Sequence, residues 1–139
     1  MLRPCLAVAL GALSCLVLAL FTGCASTPHF ENGYTQEGLA SWYGPGFQGQ
    51  QTADGETFNM HDLTAAHRRL PFGSIVRVTN KLNGANVEVR INDRGPFGDG
   101  YLIIDVSDAA ANILQMKTAG TVPVEIELLH VGPQRNSGD

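Results

Sequence analysis

Apolar residues in this chain come in short groups broken by glycine, proline and polar positions. Residues 39–43 form the first candidate strand. Residues 74–79, SIVRVT, alternate, with Val76 and Val78 on one side and Arg77 on the other. Asn83-Gly84 beyond them signals a hairpin, lengthened by Lys81 and Leu82. Residues 86–91 alternate again. Residues 101–106 are a continuous apolar run around Asp105, the pattern of a strand buried on both faces. Residues 122–129 set Val124, Ile126 and Leu128 against Glu125 and Glu127. Helical signal is sparse. Ser107 predicts a cap for a helix over 108–114, with Asp108 favourable in its first turn, and a second short helical turn is expected over 60–65. With 16 Gly and 7 Pro, short strands and tight turns dominate, which favours a small closed β-barrel over an open sheet.

Residues 1–23 break this pattern. Arg3 gives a positive start, residues 6–21 are almost wholly apolar, and small residues close the run. That describes a secretory signal peptide, because the run is short for a membrane span. Phe21-Thr22-Gly23-Cys24 resembles a bacterial lipobox, with Phe21 where Leu is usual. The resemblance implies cleavage before Cys24 and acylation of its sulfur and amino group, which would anchor the chain to a membrane. Ala25 stands where Asp signals inner-membrane retention in some bacteria, so the outer membrane facing the periplasm is expected. Cys5 and Cys15 leave with the leader, so packing alone must stabilise the fold. Residues 24–36 read as a lipidated tether, 37–129 as the folded domain and 130–139 as a flexible tail. Loss of Arg3 moves the net charge from −4 to −5. That balance argues against a nucleic-acid partner, which calls for a basic stripe.

Four titratable groups sit in small or apolar surroundings. Glu56 follows TADG, His67 ends LTAAH, Asp93 ends the strand in VRINDRGPF, and Asp105 lies in LIIDVS. Charges are seldom placed in apolar strands unless paired or used. The plain alternative for Asp93 is a turn acid before Gly95-Pro96. Arg94 is either a partner of a neighbouring acid or a substrate contact. Trp42 and Tyr43 alternate across a strand, so one belongs to the core, and with Phe97 they are candidate sugar-stacking faces. His61 reads as surface; its spacing from His67 suits no metal site, and no cofactor motif is present. No Gly-x-Ser-x-Gly arrangement points to peptidase chemistry.

Across residues 38–129 the motifs ASWYG, TADGE, LTAAH, LPFG, NDRGP and IIDVS closely resemble the RlpA family, the rare lipoprotein A proteins. The resemblance implies a mainly β fold, a six-stranded double-psi β-barrel with one or two short helices, related to expansins. It implies a lytic transglycosylase that cuts the β-1,4 MurNAc–GlcNAc bond of peptidoglycan and forms 1,6-anhydroMurNAc, with some members preferring strands stripped of peptide. It maps the family acid to Asp93, its accompanying residues to His67 and Glu56, and the expansin-type Asp to Asp105. Such a reaction needs a carboxylic acid to protonate the leaving oxygen, while the sugar's own C6 hydroxyl replaces the attacking water. Asp93 is the expected acid and Asp105 its rival. The alternative function is a glycan-binding, division-associated lipoprotein of expansin type that cleaves nothing. Two departures bear on the choice. Leu102 stands where members often have Arg, and no SPOR glycan-binding domain follows the barrel, so weaker glycan affinity is expected.

Overall fold

The alternating runs bury one side each. Val76 and Val78, Val87, Val89 and Ile91, Ile104 and Val106, and Val124, Ile126 and Leu128 all face a common interior. Fully burying each such side chain is worth about 1.5–3 kcal/mol, the main force available to residues 28–134, which contain no cysteine. The computed structural model describes residues 28–134. The leader and Cys24 lie outside the described residues.

Six strands close into a barrel: β1 (Thr35–Tyr43), β2 (Thr64–His67), β3 (Ile75–Asn80), β4 (Asn86–Asp93), β5 (Leu102–Ser107) and β6 (Val122–His130). Around the barrel the order is β1-β5-β2-β4-β3-β6. β1–β5 and β2–β4 are parallel, and the other pairs are antiparallel. The Asn83-Gly84 turn joins β3 to β4, with Gly84 at φ +75°. The α-helix α1 (Asp108–Ile113) starts at Ser107, whose hydroxyl accepts from the Ala110 N–H and donates to Asp62 O, and a short 3-10 turn covers Pro45–Phe47.

Two expectations fail. The segment 60–65 does not coil into a helical turn: Thr64–His67 is β2, between β5 and β4. All four of its residues are buried, so no alternation reveals the strand, and pairing on both sides overrides the helix preference of its alanines. The domain also reaches beyond residues 37–129. Phe30 is buried in the core and meets Tyr34 edge-on at 5.1 Å. At the other end Val131 packs on the core, and Gly132 N donates to Ser74 Oγ at 2.9 Å. A Cβ at 132 would stand 2.2 Å from Phe72 O, so only glycine fits there.

Candidate active site

Strand register builds the site. Ser41 on β1 pairs with Asp105 on β5, Asp105 pairs with Ala66 on β2, and Ala66 pairs with Asp93 on β4. Ser41, Asp105, Ala66 and Asp93 therefore form one row across four adjacent strands. Neighbouring strands lie about 4.8 Å apart, so the two Asp Cα atoms stand roughly 10 Å apart with a single methyl between them. Ala40, Ile104 and Val106 point inward and are fully buried. Alternation then puts Ser41 and Asp105 on the outer face of the barrel.

The loop between β1 and β2 fixes Asp93. Asp54 Oδ1 accepts from Thr52 Oγ1 at 2.6 Å and Glu56 N at 3.1 Å, folding TADGE into a tight turn. The turn docks on the end of β4 through Asp54 N to Asn92 O at 3.2 Å. Ala53 N then donates to Asp93 Oδ1 at 2.9 Å, and Arg94 N donates to the same oxygen at 2.8 Å. Among the described residues Oδ2 accepts no hydrogen bond, so this oxygen is left for a ligand.

Glu56 closes the same clamp. Arg90 holds it with two bonds, 2.5 and 2.8 Å, and Asn92 Nδ2 adds a third at 3.4 Å. The Arg90 bonds, ahead of Asn92, pull the Glu56 carboxyl down to about 2. A carboxylate so held carries no proton to give near neutral pH.

Asp105 has the opposite surroundings. Burial pushes its pKa above the usual carboxylate range, the Asp93 charge adds to this, and the Ser41 hydroxyl and Arg68 oppose it. Ser41 Oγ donates to Asp105 Oδ1. The NDRGP turn passes over the other oxygen: a Cβ at Gly95 would lie 3.7 Å from Asp105 Oδ2, and Gly95 has φ +133°. Glycine is required there by backbone conformation. Arg68 braces the turn from the end of β2, donating from Nε to Pro96 O at 2.5 Å and from Nη2 to Asp99 O at 2.7 Å. Leu102 pairs with Leu39, and the cation that acts on Asp105 is Arg68.

The aromatic residues divide between the two faces. Tyr43 lies two positions beyond Ser41 on the outer face, stacked on Phe58 at 4.5 Å and edge-on to Phe47 at 5.5 Å. Among the described residues its hydroxyl is buried with no partner in good hydrogen-bond geometry, and so is the neighbouring Thr64 hydroxyl, which opposes the rise of the Tyr43 pKa. Burial, then the charges of Asp93 and Asp105, push the Tyr43 pKa up, so it remains a neutral O–H. Trp42 points the other way, against the core, with Lys117 Nζ 4.9 Å above its ring. Trp42 is thus turned away from the acid row, on the side of β1 opposite Ser41 and Tyr43. Phe97 is 79 % exposed on the NDRGP turn and keeps the capacity to stack on sugar.

His67 and Arg94 hold backbone. His67 is buried, and its Nδ1 accepts from Arg69 N at 3.1 Å and Leu70 N at 3.0 Å. The ring proton therefore sits on Nε2, which donates to Gln36 Oε1 at 3.2 Å. Burial, then Arg69, Arg94 and Arg68, bring its pKa down to about 4, so it is neutral. Both ring nitrogens are used, and no face is left for substrate. Arg94 stacks over Phe72 at 3.6 Å and donates from Nη1 to Leu70 O at 3.0 Å and His67 O at 3.2 Å. Burial lowers its pKa, and Asp93 works against that fall. His67 and Arg94 thus clamp one turn, 67–70, from both sides.

Register brings Asp93 and Asp105 together, with Glu56 in the clamp beside them and His67 behind. Ser41, Ala66 and Arg68 join the site without a signal in the sequence. A serine, an alanine and a loop arginine are ordinary residues until strand pairing is known. Among the described residues, no three His, Cys, Asp or Glu side chains gather as metal ligands.

Comparison with known proteins bears on the family and the fold. A family model described as lytic transglycolase matches residues 35–126. The endolytic peptidoglycan transglycosylase RlpA of Campylobacter jejuni is 50% identical over 107 residues, covering 77% of this chain and 38% of that protein. The Vibrio cholerae protein of the same name is 52% identical over 99 residues, covering 71% of this chain and 37% of its own length. The chain thus spans well under half the length of these curated relatives. Among solved structures, the Streptomyces papain inhibitor superposes with TM-score 0.59 at 21% identity, over 73% of this chain and 100% of that one. The expansin of Clavibacter michiganensis superposes with TM-score 0.55 at 21% identity, over 76% of this chain and 53% of that one. At such identity these two likenesses establish the double-psi barrel fold alone. With the closed six-stranded barrel, the matched family model and the curated relatives in agreement, the chain belongs to the RlpA-type lytic transglycolase family.

Proposed function

We propose that this domain cleaves the β-1,4 bond between MurNAc and GlcNAc in peptidoglycan strands and releases 1,6-anhydroMurNAc ends. The carrying observation is the row Ser41–Asp105–Ala66–Asp93, with two half-buried carboxyl groups in unlike surroundings. Two carboxyls whose environments differ are the usual mark of divided acid and base roles. Asp105, kept protonated longer by burial, donates its proton to the glycosidic oxygen as the C1–O bond breaks. Asp93 presents Oδ2 to the positive charge that grows at C1. The C6 hydroxyl of the same sugar attacks C1, and its proton passes to Asp93. Solvent then returns the proton to Asp105 and removes it from Asp93, which restores both groups. This assignment exchanges the two acids relative to the expectation from the NDRGP motif.

The test is incubation of the full chain with intact and amidase-treated sacculi, followed by mass spectrometry. Anhydro-muropeptides from wild type, lost in Asp93→Asn and in Asp105→Asn, support the reading. Protein that pellets with sacculi and releases nothing refutes it in favour of a glycan binder.

We also propose that Cys24 carries the acyl chains that tether this domain to the outer membrane, facing the periplasm. The lipobox-like run Phe21-Thr22-Gly23-Cys24 and the Ala25 that follows support this. Cys24→Ala should abolish labelling by a palmitate analogue and move the protein out of the membrane fraction.

A further inference from the structure

The outer face of the barrel continues past the acid row. Alternation puts Leu39 on the same side of β1 as Ser41, and the pairing of Leu39 with Leu102 carries that face onto β5, while the bulge beside this pair turns Ile103 into the core. Two residues along a strand span about 6.6 Å, roughly the length of one sugar ring. There a groove of about 510 Å³ opens, lined by Leu39, Ile103, Tyr101, Gln36, Glu37 and Lys81 among others. Clefts for small ligands occupy about 300–1,000 Å³, so the size fits an extended sugar segment.

The lining has mixed chemistry. Tyr101 is 77 % exposed on the same loop as Phe97. Its backbone is fixed at both ends: its N–H donates to Asp99 Oδ1 at 2.9 Å, and its carbonyl accepts from Leu39 N at 2.8 Å. The ring is thus a wet aromatic surface on a settled backbone. At the far end Lys81 Nζ meets Glu37 Oε1 at 2.7 Å. Gln36 accepts from His67 with its amide oxygen, which leaves the amide NH2 free to donate. Gly38 forms the floor, where a Cβ would come within 2.5 Å of Ile103 Cγ2. Any side chain at 38 would collide with Ile103 and with the Tyr101 carbonyl. One exposed aromatic face rimmed by an amide, a carboxylate and an ammonium suits a pyranose, which has apolar faces and a polar edge. A protein partner would call for a wider apolar patch.

We propose that this groove is a distal subsite that holds N-acetylhexosamine units of the glycan on one side of the scissile bond. Tyr101 is its stacking platform, and Gln36, Glu37 and Lys81 are its hydrogen-bonding rim. The proposal takes its ligand from the transglycosylase reading above, and its test separates the two. The full chain carrying Asp105→Asn, which leaves the ligand uncut, is titrated calorimetrically with a hexamer of N-acetylglucosamine and with denuded glycan strands. Adding Tyr101→Ala is expected to weaken binding about tenfold, while Tyr101→Phe retains it. A disaccharide bound at the acid row should show no such difference. Equal affinity with and without the Tyr101 ring, or no glycan binding at all, overturns the subsite. Sedimentation that shows a dimer dispersed by Tyr101→Ala also overturns it, because the groove would then be a face between copies. Turnover on sacculi is measured in parallel. Loss in Asp105→Asn with an unchanged KM in Tyr101→Ala sinks the subsite and spares the chemistry. Binding that depends on Tyr101 without anhydro product from wild type does the reverse.

Discussion

Replacing Ser41 by Ala should move the pH dependence of cleavage in a direction the structure fixes. Ser41 Oγ donates to Asp105 Oδ1 and lowers the Asp105 pKa, against the stronger upward push of burial. Without the hydroxyl, only Arg68 still opposes that push. A hydrogen bond to a charged acceptor contributes about 1.5–3 kcal/mol net, and the low end applies because Asp105 is half-buried. At about 1.4 kcal/mol per pH unit, the Asp105 pKa should rise by about one unit in Ser41→Ala. If Asp105 is the proton donor, turnover falls as pH climbs through that pKa. The alkaline side of the profile should therefore shift upward by about one pH unit, and Ser41→Thr, which keeps a hydroxyl, should shift it much less. Initial rates of anhydro-muropeptide release across pH 4–9, quantified by mass spectrometry, measure the shift. An alkaline side that stays in place, or moves down, removes Asp105 from the donor role.

Three further outcomes follow from the same contacts. Because burial raises the Asp105 pKa, the native state holds this proton more tightly than the unfolded chain, and stability drains away as pH rises through the window between the two values. Asp105→Asn should therefore raise Tm at pH 7, with the gain fading below the ordinary carboxylate range; an unchanged or lower Tm at pH 7 counts against the buried-acid account. His67 has the opposite sign: its pKa falls from 6.5 to about 4, so its contribution is complete above 6.5 and is lost as pH drops through 4, up to about 3 kcal/mol. Urea midpoints between pH 7 and pH 4 should drop in wild type and flatten in His67→Gln, and equal slopes would show that the ring is not buried neutral. Glu56→Gln breaks a largely exposed ion pair, so stability should change by less than about 1 kcal/mol, while turnover drops several-fold as the turn that fixes Asp93 loosens. A Tm loss out of proportion to the drop in kcat would make Glu56 structural.

Strands β3, β4 and β6 were legible because each exposes one face and alternates cleanly, and α1 because Ser107 caps it. The acids at 56, 93 and 105 stood out because carboxyls among apolar and glycine-rich neighbours are rare. The motifs around them carried the family. Strand β2 was hidden because it is buried on every side and made of small residues, which leaves no periodicity to read. The roles within the site were hidden for a different reason. Whether Trp42 or Tyr43 faces the acids, which carboxyl is desolvated and which is fixed by two backbone N–H groups, and whether His67 meets a ligand or a turn are all matters of register between strands distant in sequence. Local pattern determines which residues become strands and which of their faces is apolar. Only closure of the barrel sets Ser41, Asp105, Ala66 and Asp93 side by side, because the pairing that aligns them depends on contacts among all six strands at once.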